Sequence, residues 1–435
     1  EGARINDDII EVTLPVVNRY DEVKTKKLRV IKVKDGKNFK KQARRMVLDV
    51  PKEDFMRYLV RSKSVLDCRS KIQSIESSGS LKMNIQLIDT KFTIPASTLA
   101  LLDYYRIFDE IQQYKNEKSY FNISIDRNKL KPILETDGWY ELIIPEKQLE
   151  IDSIRKIEYA TDYAIMALKS YMDKFYKFEQ ERWEAPLLEF QEISATDNNF
   201  VDEYTFTVTP QNSLDTTGEE LDKFIGDIKS ILADNNGLNE YEKKFDFNKN
   251  LCLFDFRSHL YAPLVCLKKG NTNIQITPVS LNEDEKLFVD YLKEFTENNG
   301  DVLENKSLYL LRNKSKVGMG FFVAGNFYPD YILWIDTPEK QYITFVDPKG
   351  LLRIMPDDPK IEFYKTIKDL EKQLAPTAGD KQIVLNSFIM SATKSADLHE
   401  WWHWDKTTRE AHNVYTLDDD QCVISMINKI CFLQS

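Results

Sequence analysis

Asp330, Asp347 and Lys349 have the residue types and the spacing of a metal-dependent hydrolytic site. In the apolar run 327–335, strand alternation places Asp330 on one face among large apolar side chains, where a carboxylate is unusual. In the next run, 343–350, the same alternation puts Asp347 and Lys349 on one face. If the two runs pair through the short turn between them, the three side chains converge at one end of a sheet.

Two carboxylates at one site repel each other unless a cation lies between them, and a small set of oxygen ligands suits Mg²⁺ or Mn²⁺. Such a metal lowers the pKa of a bound water and stabilises charge on a phosphate during in-line displacement. We therefore predict that Asp330 and Asp347 bind the metal and that the ammonium of Lys349 positions or activates the water. The alternative is a structural ion pair, because the same D-x-K spacing also occurs at Asp35, Asp89, Asp284 and Asp358.

Glu285 is a third acidic residue that the sequence offers to this site. It lies three and seven residues before Phe288 and Leu292, in line with the apolar stripe of a helix that begins near Asn282. On that face it can point to the same site as Asp330 and act as a further metal ligand. The alternative is a capping box, with Asn282 as the N-cap and Glu285 as its N3 partner. Both interpretations stay open, because one carboxylate could do both.

The last third of the chain has a regular succession of elements that would position these residues. The pattern predicts, in order, a helix over 281–295, strands over 307–312, 320–323, 327–335 and 341–346, a helix over 361–374 and a strand over 382–390. This order is typical of an α/β domain in which helices flank a mixed sheet.

A chain of 435 residues exceeds one compact domain, so we expect a multidomain α/β protein. Residues 1–150 are predicted as a mixed α/β connector region. Residues 151–200 are predicted as a long helical arm, because 151–183 contains no Gly or Pro. An α/β linker region over 201–280 then leads to the domain with the acidic residues, 281–435.

The composition is that of an ordinary folded protein, with 42% apolar, 12% aromatic and 30% charged residues. It excludes a largely disordered chain, a collagen-like chain and a Cys-dense secreted scaffold. No apolar run approaches the ~18–20 residues that span a bilayer, and no basic-then-apolar leader opens the chain. We therefore expect a cytoplasmic protein with no membrane partner. The first residue is Glu1 rather than Met, which suggests a fragment or a processed product.

One basic stretch stands out in a chain of net charge −10. Residues 24–45 contain eleven Lys or Arg and one acidic residue, a local net of +10. A basic patch on an acidic protein is a candidate footprint for a polyanion, and we select Lys26, Lys27 and Lys32 as DNA-binding residues. The alternative is a solvated surface without a partner.

Two histidine patterns point elsewhere. The run 399–403 (HEWWH) matches the H-E-x-x-H motif of zinc proteases, but a third ligand is missing at the expected spacing and three tryptophans crowd it. We expect aromatic packing there, with stacking on DNA bases as a second possibility.

His259 lies among apolar residues and is expected to be packed and hydrogen-bonded. The run 318–320 (GMG) is expected to form a hairpin.

Five stretches carry a resemblance to a known family. They are 259–264 (HLYAPL), 278–286 (PVSLNEDEK), 318–322 (GMGFF), 327–330 (FYPD) and 346–350 (VDPKG). The order of elements with P-D and D-x-K resembles the PD-(D/E)xK restriction-endonuclease-like core. More closely, these stretches resemble the C-terminal endonuclease region of the helicase-nuclease subunit of type III restriction enzymes and related DEAD/DEAH-box defence proteins, most clearly from about residue 250 to 430.

The resemblance implies a Mg²⁺-dependent endonuclease, with Mn²⁺ as a substitute, that hydrolyses phosphodiester bonds of duplex DNA. It implies that Asp330 and Asp347 are metal ligands, that Lys349 is the catalytic lysine and that Glu285 is a further acid. The chain has no G-x-x-x-x-G-K-[ST] loop and no DExH-type run, so the family's ATP-driven helicase motor is expected as a partner, as is a methyltransferase or recognition subunit. The rival function is a catalytically silent DNA-binding or subunit-docking module.

Overall fold

Strands and helices alternate along the chain in its computed structural model, which confirms the α/β class. The structure describes residues 3–6, 9–68, 91–144, 149–209, 218–223, 225–226, 242–244, 251–268, 273–314, 319, 327–352 and 354–432. The predicted strand over 320–323 lies outside the described residues.

The strands in the described residues are mostly short. They are β1 (Ala3–Asn6), β2 (Ile9–Pro15), β3 (Val17–Asn18), β4 (Arg29–Val33), β5 (Met46–Leu48), β6 (Ser64–Asp67), β7 (Lys91–Phe92), β8 (Ile123–Ile125), β9 (Tyr140–Ile143), β10 (Leu188–Glu192), β11 (Glu203–Val208), β12 (Glu242–Lys244), β13 (Leu251–Phe254), β14 (Tyr261–Ala262), β15 (Leu264–Leu267), β16 (Ile274–Thr277), β17 (Ser307–Arg312), β18 (Tyr331–Asp336), β19 (Lys340–Lys349), β20 (Gln382–Ser391) and β21 (Val414–Thr416).

The α-helices are α1 (Tyr20–Val23), α2 (Phe39–Gln42), α3 (Glu53–Arg61), α4 (Ala96–Leu99), α5 (Tyr104–Glu117), α6 (Arg127–Glu135), α7 (Ile154–Glu184), α8 (Glu283–Asn298), α9 (Phe363–Leu374), α10 (Ser395–Trp402), α11 (Lys406–Ala411) and α12 (Cys422–Phe432). No helix in the described part of the chain is both long and apolar enough to cross a bilayer.

The chain forms two compact units, and one of them is discontinuous in sequence. Unit 1 comprises Glu1–Lys32 and Glu189–Ser435, and unit 2 comprises Val33–Leu188. The domain boundaries predicted at 150, 200 and 280 remain a prediction.

Unit 2 is built around α7, which confirms the predicted long helix but not its role as an arm. The helix has 31 residues, begins after Ser153 and ends where Ala185 and Pro186 start a 3₁₀ turn. It packs against α2, α3, α5, α6 and β6, and eleven of its residues are buried. A connector exposed to water would not need so many apolar residues, so α7 is the core helix of this unit.

Unit 1 contains the predicted mixed sheet. Its order is β17-β18-β19-β20-β21, with β17, β18 and β19 antiparallel and with β19, β20 and β21 parallel. The predicted pairing of the two strands around the short turn is therefore confirmed. The parallel pair β19–β20 needs a crossover, which α9 provides. Every residue of β18 is buried, as expected for a central strand covered on both faces.

Unit 1 also contains a four-stranded sheet β1-β2-β11-β16, a three-stranded sheet β12-β13-β15 and the pairs β3–β14 and β4–β10. The segment before β14 hydrogen-bonds to β17, because Leu260 N donates to Leu310 O and Leu310 N donates to Ser258 O, both at 2.9 Å. Residues 258–260 therefore cover the edge of the mixed sheet.

Candidate functional site

The structure brings Asp330 and Asp347 together as predicted. Tyr331 of β18 faces Val346 of β19, so the same antiparallel register continued by one residue places the two aspartates opposite each other. Their carboxyl groups are joined by a hydrogen bond. The strand β18 starts at Tyr331 rather than at the predicted Phe327, because Pro329 has no N–H to donate to a ladder.

Lys349 joins the two aspartates at the end of β19. Its ammonium forms an ion pair with Asp347 and lies 5.5 Å from the centre of the Phe327 ring. The Lys349 side chain is 26% exposed, whereas the Asp347 side chain is 3% exposed. The lysine can therefore reach a ligand from the solvent side while it neutralises a buried carboxylate.

The Asp330 carboxyl group holds its proton more tightly than an ordinary aspartate. Burial, together with the negative charges of Asp347 and Glu285, raises the pKa of Asp330 to about 8, although the Lys349 charge acts in the opposite direction. At neutral pH the Asp330 carboxyl group is therefore mostly protonated. A divalent cation bound at Asp330 would have to displace that proton.

Glu285 forms the capping box that was one of its two predicted roles. Its Oε2 accepts a hydrogen bond from Asn282 N at 2.8 Å, while Asn282 Oδ1 accepts from the backbone N of Asp284 and Glu285 at 2.9 Å. Arg312 also donates to both Glu285 oxygens, at 3.2 and 3.3 Å. Both oxygens are thus engaged, although the charge of Glu285 still acts on Asp330.

The described residues contain no group of three or more His, Cys, Asp or Glu arranged to hold a metal ion. Asp330 and Asp347 fit a hard cation by their oxygen chemistry, but Glu285 would have to release Arg312 to become a third ligand. Glu285 is therefore less available as a metal ligand than Asp330 and Asp347, because Arg312 already neutralises it.

Asn313 fixes the backbone that carries Asp330, a role that the sequence did not reveal. Its backbone N donates to Asp330 O at 2.7 Å, and its side-chain amide donates to Pro329 O at 2.8 Å. The same amide group also exchanges hydrogen bonds with the backbone of Met319 at 2.7 and 2.8 Å. Of the predicted hairpin at 318–320, only Met319 lies in the described residues.

His259 is buried and structural, in agreement with the prediction. Its Nε2 accepts a hydrogen bond from Arg312 N at 3.2 Å, so Nδ1 carries the proton and donates to Tyr261 O at 2.9 Å. Burial lowers the pKa of His259 to about 3, which keeps the ring neutral. The histidine therefore supports the strand that carries Arg312 and takes no part in proton transfer.

Lys360 is a second lysine at the site that the sequence analysis did not select. Burial and the positive charge of Lys349 lower its pKa, while the charges of Asp358 and Asp347 act in the opposite direction. The Phe327 ring beside Lys349 also contacts Phe363 at the start of α9, with ring centres 5.8 Å apart. A signal was present in the sequence, because residues 358–360 repeat the D-P-K of 347–349.

The predicted DNA-binding lysines do not lie at the carboxylates. Lys26 and Lys27 line a cavity of about 260 Å³ together with Asp336, at the far end of β18 from Asp330. Asp336 lies six residue positions after Asp330 along the strand, a distance of roughly 20 Å. Lys32 forms an ion pair with Asp197 at 2.6 Å, and the Asp197 side chain is 4% exposed. The charge of Lys32 is thus already neutralised inside unit 1.

The H-E-x-x-H run does not have zinc-site geometry. Helix α10 ends at Trp402, and His403 adopts a left-handed conformation with φ of 58°, so His399 and His403 do not share a helical face. Trp402 instead packs in a buried apolar cluster and donates from its ring nitrogen to Ile354 O at 2.9 Å. The run closes the core of the domain, as expected, while the side chain of Trp401 is exposed.

Comparison with known proteins gives no match: no family model fits the chain, and no curated protein or solved structure is similar to it. The function is therefore argued from the site itself.

Proposed function

We propose that unit 1 contains a PD-(D/E)xK-like nuclease that hydrolyses phosphodiester bonds of duplex DNA with Mg²⁺ or Mn²⁺, as the nuclease part of a type III restriction-like helicase-nuclease. The single observation that carries this proposal is the hydrogen-bonded pair Asp330 and Asp347 with the Lys349 ammonium on the same sheet end. The order α8, β17, β18, β19, α9, β20 supports it, because it resembles the order of elements in that nuclease core.

The residues divide the chemistry between them in this proposal. A cation held by Asp330 and Asp347 would activate a water and offset charge on the phosphate. Lys349 orients the attacking water, which gives a proton to bulk water as its oxygen forms a bond to phosphorus. The bond from phosphorus to the leaving oxygen breaks, and that oxygen takes a proton from bulk water. Lys360 contributes a second positive charge for the non-bridging oxygens of the same phosphate. Arg312 keeps Glu285 in place beside them.

A catalytically silent DNA-binding or subunit-docking module is the second candidate, and one observation favours it. Residues 281–435 contain 18 Lys or Arg against 25 Asp or Glu, a net charge of −7, which opposes the approach of DNA. A silent module would retain the ion pairs at the sheet end but would neither bind a divalent cation nor cut. Metal binding therefore separates the two candidates.

Binding of Mn²⁺ should release close to one proton at pH 7. Since the pKa of Asp330 is raised to about 8, its carboxyl group is mostly protonated at pH 7, and the cation must displace ~0.9 proton. Release should fall towards zero at pH 9 and above, where the group is already ionised. Calorimetric titration in buffers of different ionisation enthalpy measures this number.

Asp330→Asn is the matched control for this titration, because the amide has the same shape and no proton to lose. The variant should bind Mn²⁺ more weakly and release no proton at any pH between 6 and 9. If the unaltered chain binds Mn²⁺ without releasing a proton, the metal does not bind at Asp330. The same conclusion follows if Asp330→Asn still releases a proton when it binds Mn²⁺. No binding in the unaltered chain would favour the silent module.

Lys360→Ala should slow cleavage by about ten- to a hundredfold, since one cation that faces the phosphate is lost. The same change should tighten Mn²⁺ binding, because a positive charge beside the carboxylates is removed. The measurements are nicking of supercoiled plasmid and Mn²⁺ titration. Lys365→Ala on α9, whose side chain is 55% exposed, is the control and should change neither. Unchanged cleavage would show that Lys360 does not face the phosphate, and unchanged metal affinity would show that its charge does not act on the carboxylates.

A further inference from the structure

A cleft with a basic rim and an aromatic wall lies within unit 2. Its volume is about 710 Å³, within the range of sites that hold small ligands or single nucleotides. The segment between α2 and β5 forms one side with Arg44 and Arg45, and Lys52, just before α3, extends that rim. The last turns of α7 form the wall. Arg44 and Arg45 belong to the basic stretch 24–45, but none of the three lysines selected from that stretch lines this cleft.

The acidic residues of the cleft are neutralised by cations. Asp49 pairs with Lys129 at 2.8 Å, and Asp54 pairs with Arg57 at 3.0 Å. The third, Glu179, lies 3.9 Å from Arg182.

Among the described residues, Arg44 and Arg45 form no ion pair with an acidic residue, whereas the charge of Lys52 acts on Asp49. Arg44, Arg45 and Lys52 are all exposed. Burial and the positive charge of the nearby Arg45 lower the pKa of Lys115. Arg44 and Arg45 therefore give the cleft an excess of positive charge. Unit 2 as a whole carries 27 Lys or Arg against 24 Asp or Glu, a net of +3, whereas unit 1 carries 33 against 46, a net of −13.

The aromatic wall is preformed and partly open to the cleft. Trp183 packs on Phe39 with ring centres 5.8 Å apart, and Phe175 packs on Phe55 at 5.6 Å. Phe39 and Phe55 are buried, whereas Trp183 and Phe175 are only half-buried. Two rings are thus held rigidly from behind while part of their surface faces the cleft, an arrangement suited to stacking on a planar ligand.

We propose that this cleft binds single-stranded nucleic acid, with Arg44 and Arg45 on the backbone phosphates and with Trp183 and Phe175 stacked on the bases. A duplex keeps the faces of its bases inside the helix, so its bases cannot occupy an aromatic wall inside a concave site. An unpaired strand offers both the phosphates and the base faces. The proposal does not rest on the nuclease site, because it involves no metal and no residue of unit 1.

The test is the affinity of the full chain for a fluorescein-labelled oligothymidylate of about 15 nucleotides, followed by anisotropy in EDTA over a series of NaCl concentrations. Arg44→Ala/Arg45→Ala should weaken binding at least tenfold and reduce the slope of log affinity against log salt by about 1.4, since each phosphate contact on a single strand contributes ~0.7. Arg127→Ala/Lys131→Ala removes two charges from α6 outside the cleft and should leave affinity and slope nearly unchanged.

The aromatic wall is tested separately. Trp183→Leu should weaken binding about tenfold without a change in the salt slope, and Trp183→Phe should restore most of the loss, because stacking contributes ~1–3 kcal/mol per base. Phe175→Leu provides a second variant should Trp183→Leu unfold, which urea denaturation reports.

Three results would overturn the proposal. The first is unchanged affinity in the double arginine variant. The second is duplex binding as tight as single-strand binding with no effect of the aromatic variants, which would leave a phosphate surface only. The third is displacement of the oligonucleotide by polyglutamate at equal charge concentration, again with no effect of the aromatic variants, which would make the cleft an acidic-peptide site. Because EDTA is present throughout, these outcomes are independent of whether Asp330 and Asp347 cut DNA.

Discussion

Lys349→Ala should reduce Mn²⁺-dependent nicking of supercoiled DNA by about a thousandfold or more. The lysine is the only cation in direct contact with Asp347 among the described residues, and it lies where the attacking water must be oriented. Lys349→Arg should not restore activity, because the planar guanidinium cannot replace a compact ammonium in the same space. The assay is nicking at high protein concentration, with the rate followed over hours.

The melting temperature should fall by no more than a few degrees in Lys349→Ala, because the side chain is 26% exposed and lies at the end of β19 rather than in the core. Lys340→Ala, at the opposite end of β19, is the matched control and should nick DNA at the unaltered rate. Nicking that survives Lys349→Ala would move the active site away from this sheet end. Loss of nicking in both variants would indicate damage to β19 instead.

Arg19→Met should lower the free energy of unfolding by about 3–5 kcal/mol, the usual loss when one partner of a buried ion pair is removed. Arg19 pairs with Asp255 at 2.7 Å, and the two side chains are 3% and 0% exposed. The same guanidinium donates to Phe256 O at 3.0 Å and to His259 O at 3.2 Å. Methionine fills the volume but leaves the Asp255 carboxylate without a counter-charge. Urea denaturation measures the change.

Arg257→Ala is the control for this prediction. Arg257 pairs with Glu22 at 3.5 Å, and both side chains are more than half exposed, so its loss should change the free energy of unfolding by less than ~1 kcal/mol. Equal, small losses in both variants would show that the buried pair contributes little. A large loss of stability in Arg19→Met should also reduce nicking. Arg19 donates a hydrogen bond to His259 O, and His259 in turn supports the strand that carries Arg312.

The parts of the site that could be predicted are those set by short-range periodicity. Alternation along one strand is enough to put Asp347 and Lys349 on one face, and the spacing of Asn282 and Glu285 is enough to predict a capping box. Both patterns span fewer than five residues. The register that brings Asp330 opposite Asp347 depends only on a short turn between two apolar runs.

The parts that could not be predicted depend on residues far apart in sequence. The pair Arg312–Glu285 joins residues 27 positions apart, and Arg19–Asp255 joins residues 236 positions apart. No local pattern indicates which arginine will meet which acid. The surroundings of the basic stretch could not be predicted for a similar reason: Lys32 pairs with the distant Asp197, and the stretch is divided between two compact units.

The insertion of unit 2 within unit 1 has a consequence for the newly made chain. Strand β2 pairs with β11, and the ribosome must add nearly 190 residues between Pro15 and Glu203 before that partner exists. At typical synthesis rates of about 5–20 residues per second, β2 remains without its partner strand β11 for on the order of 10–40 s. Unit 2 is contiguous and can fold during that interval. The nascent chain thus carries an uncovered strand edge beside a finished domain, which is the kind of surface that chaperones bind.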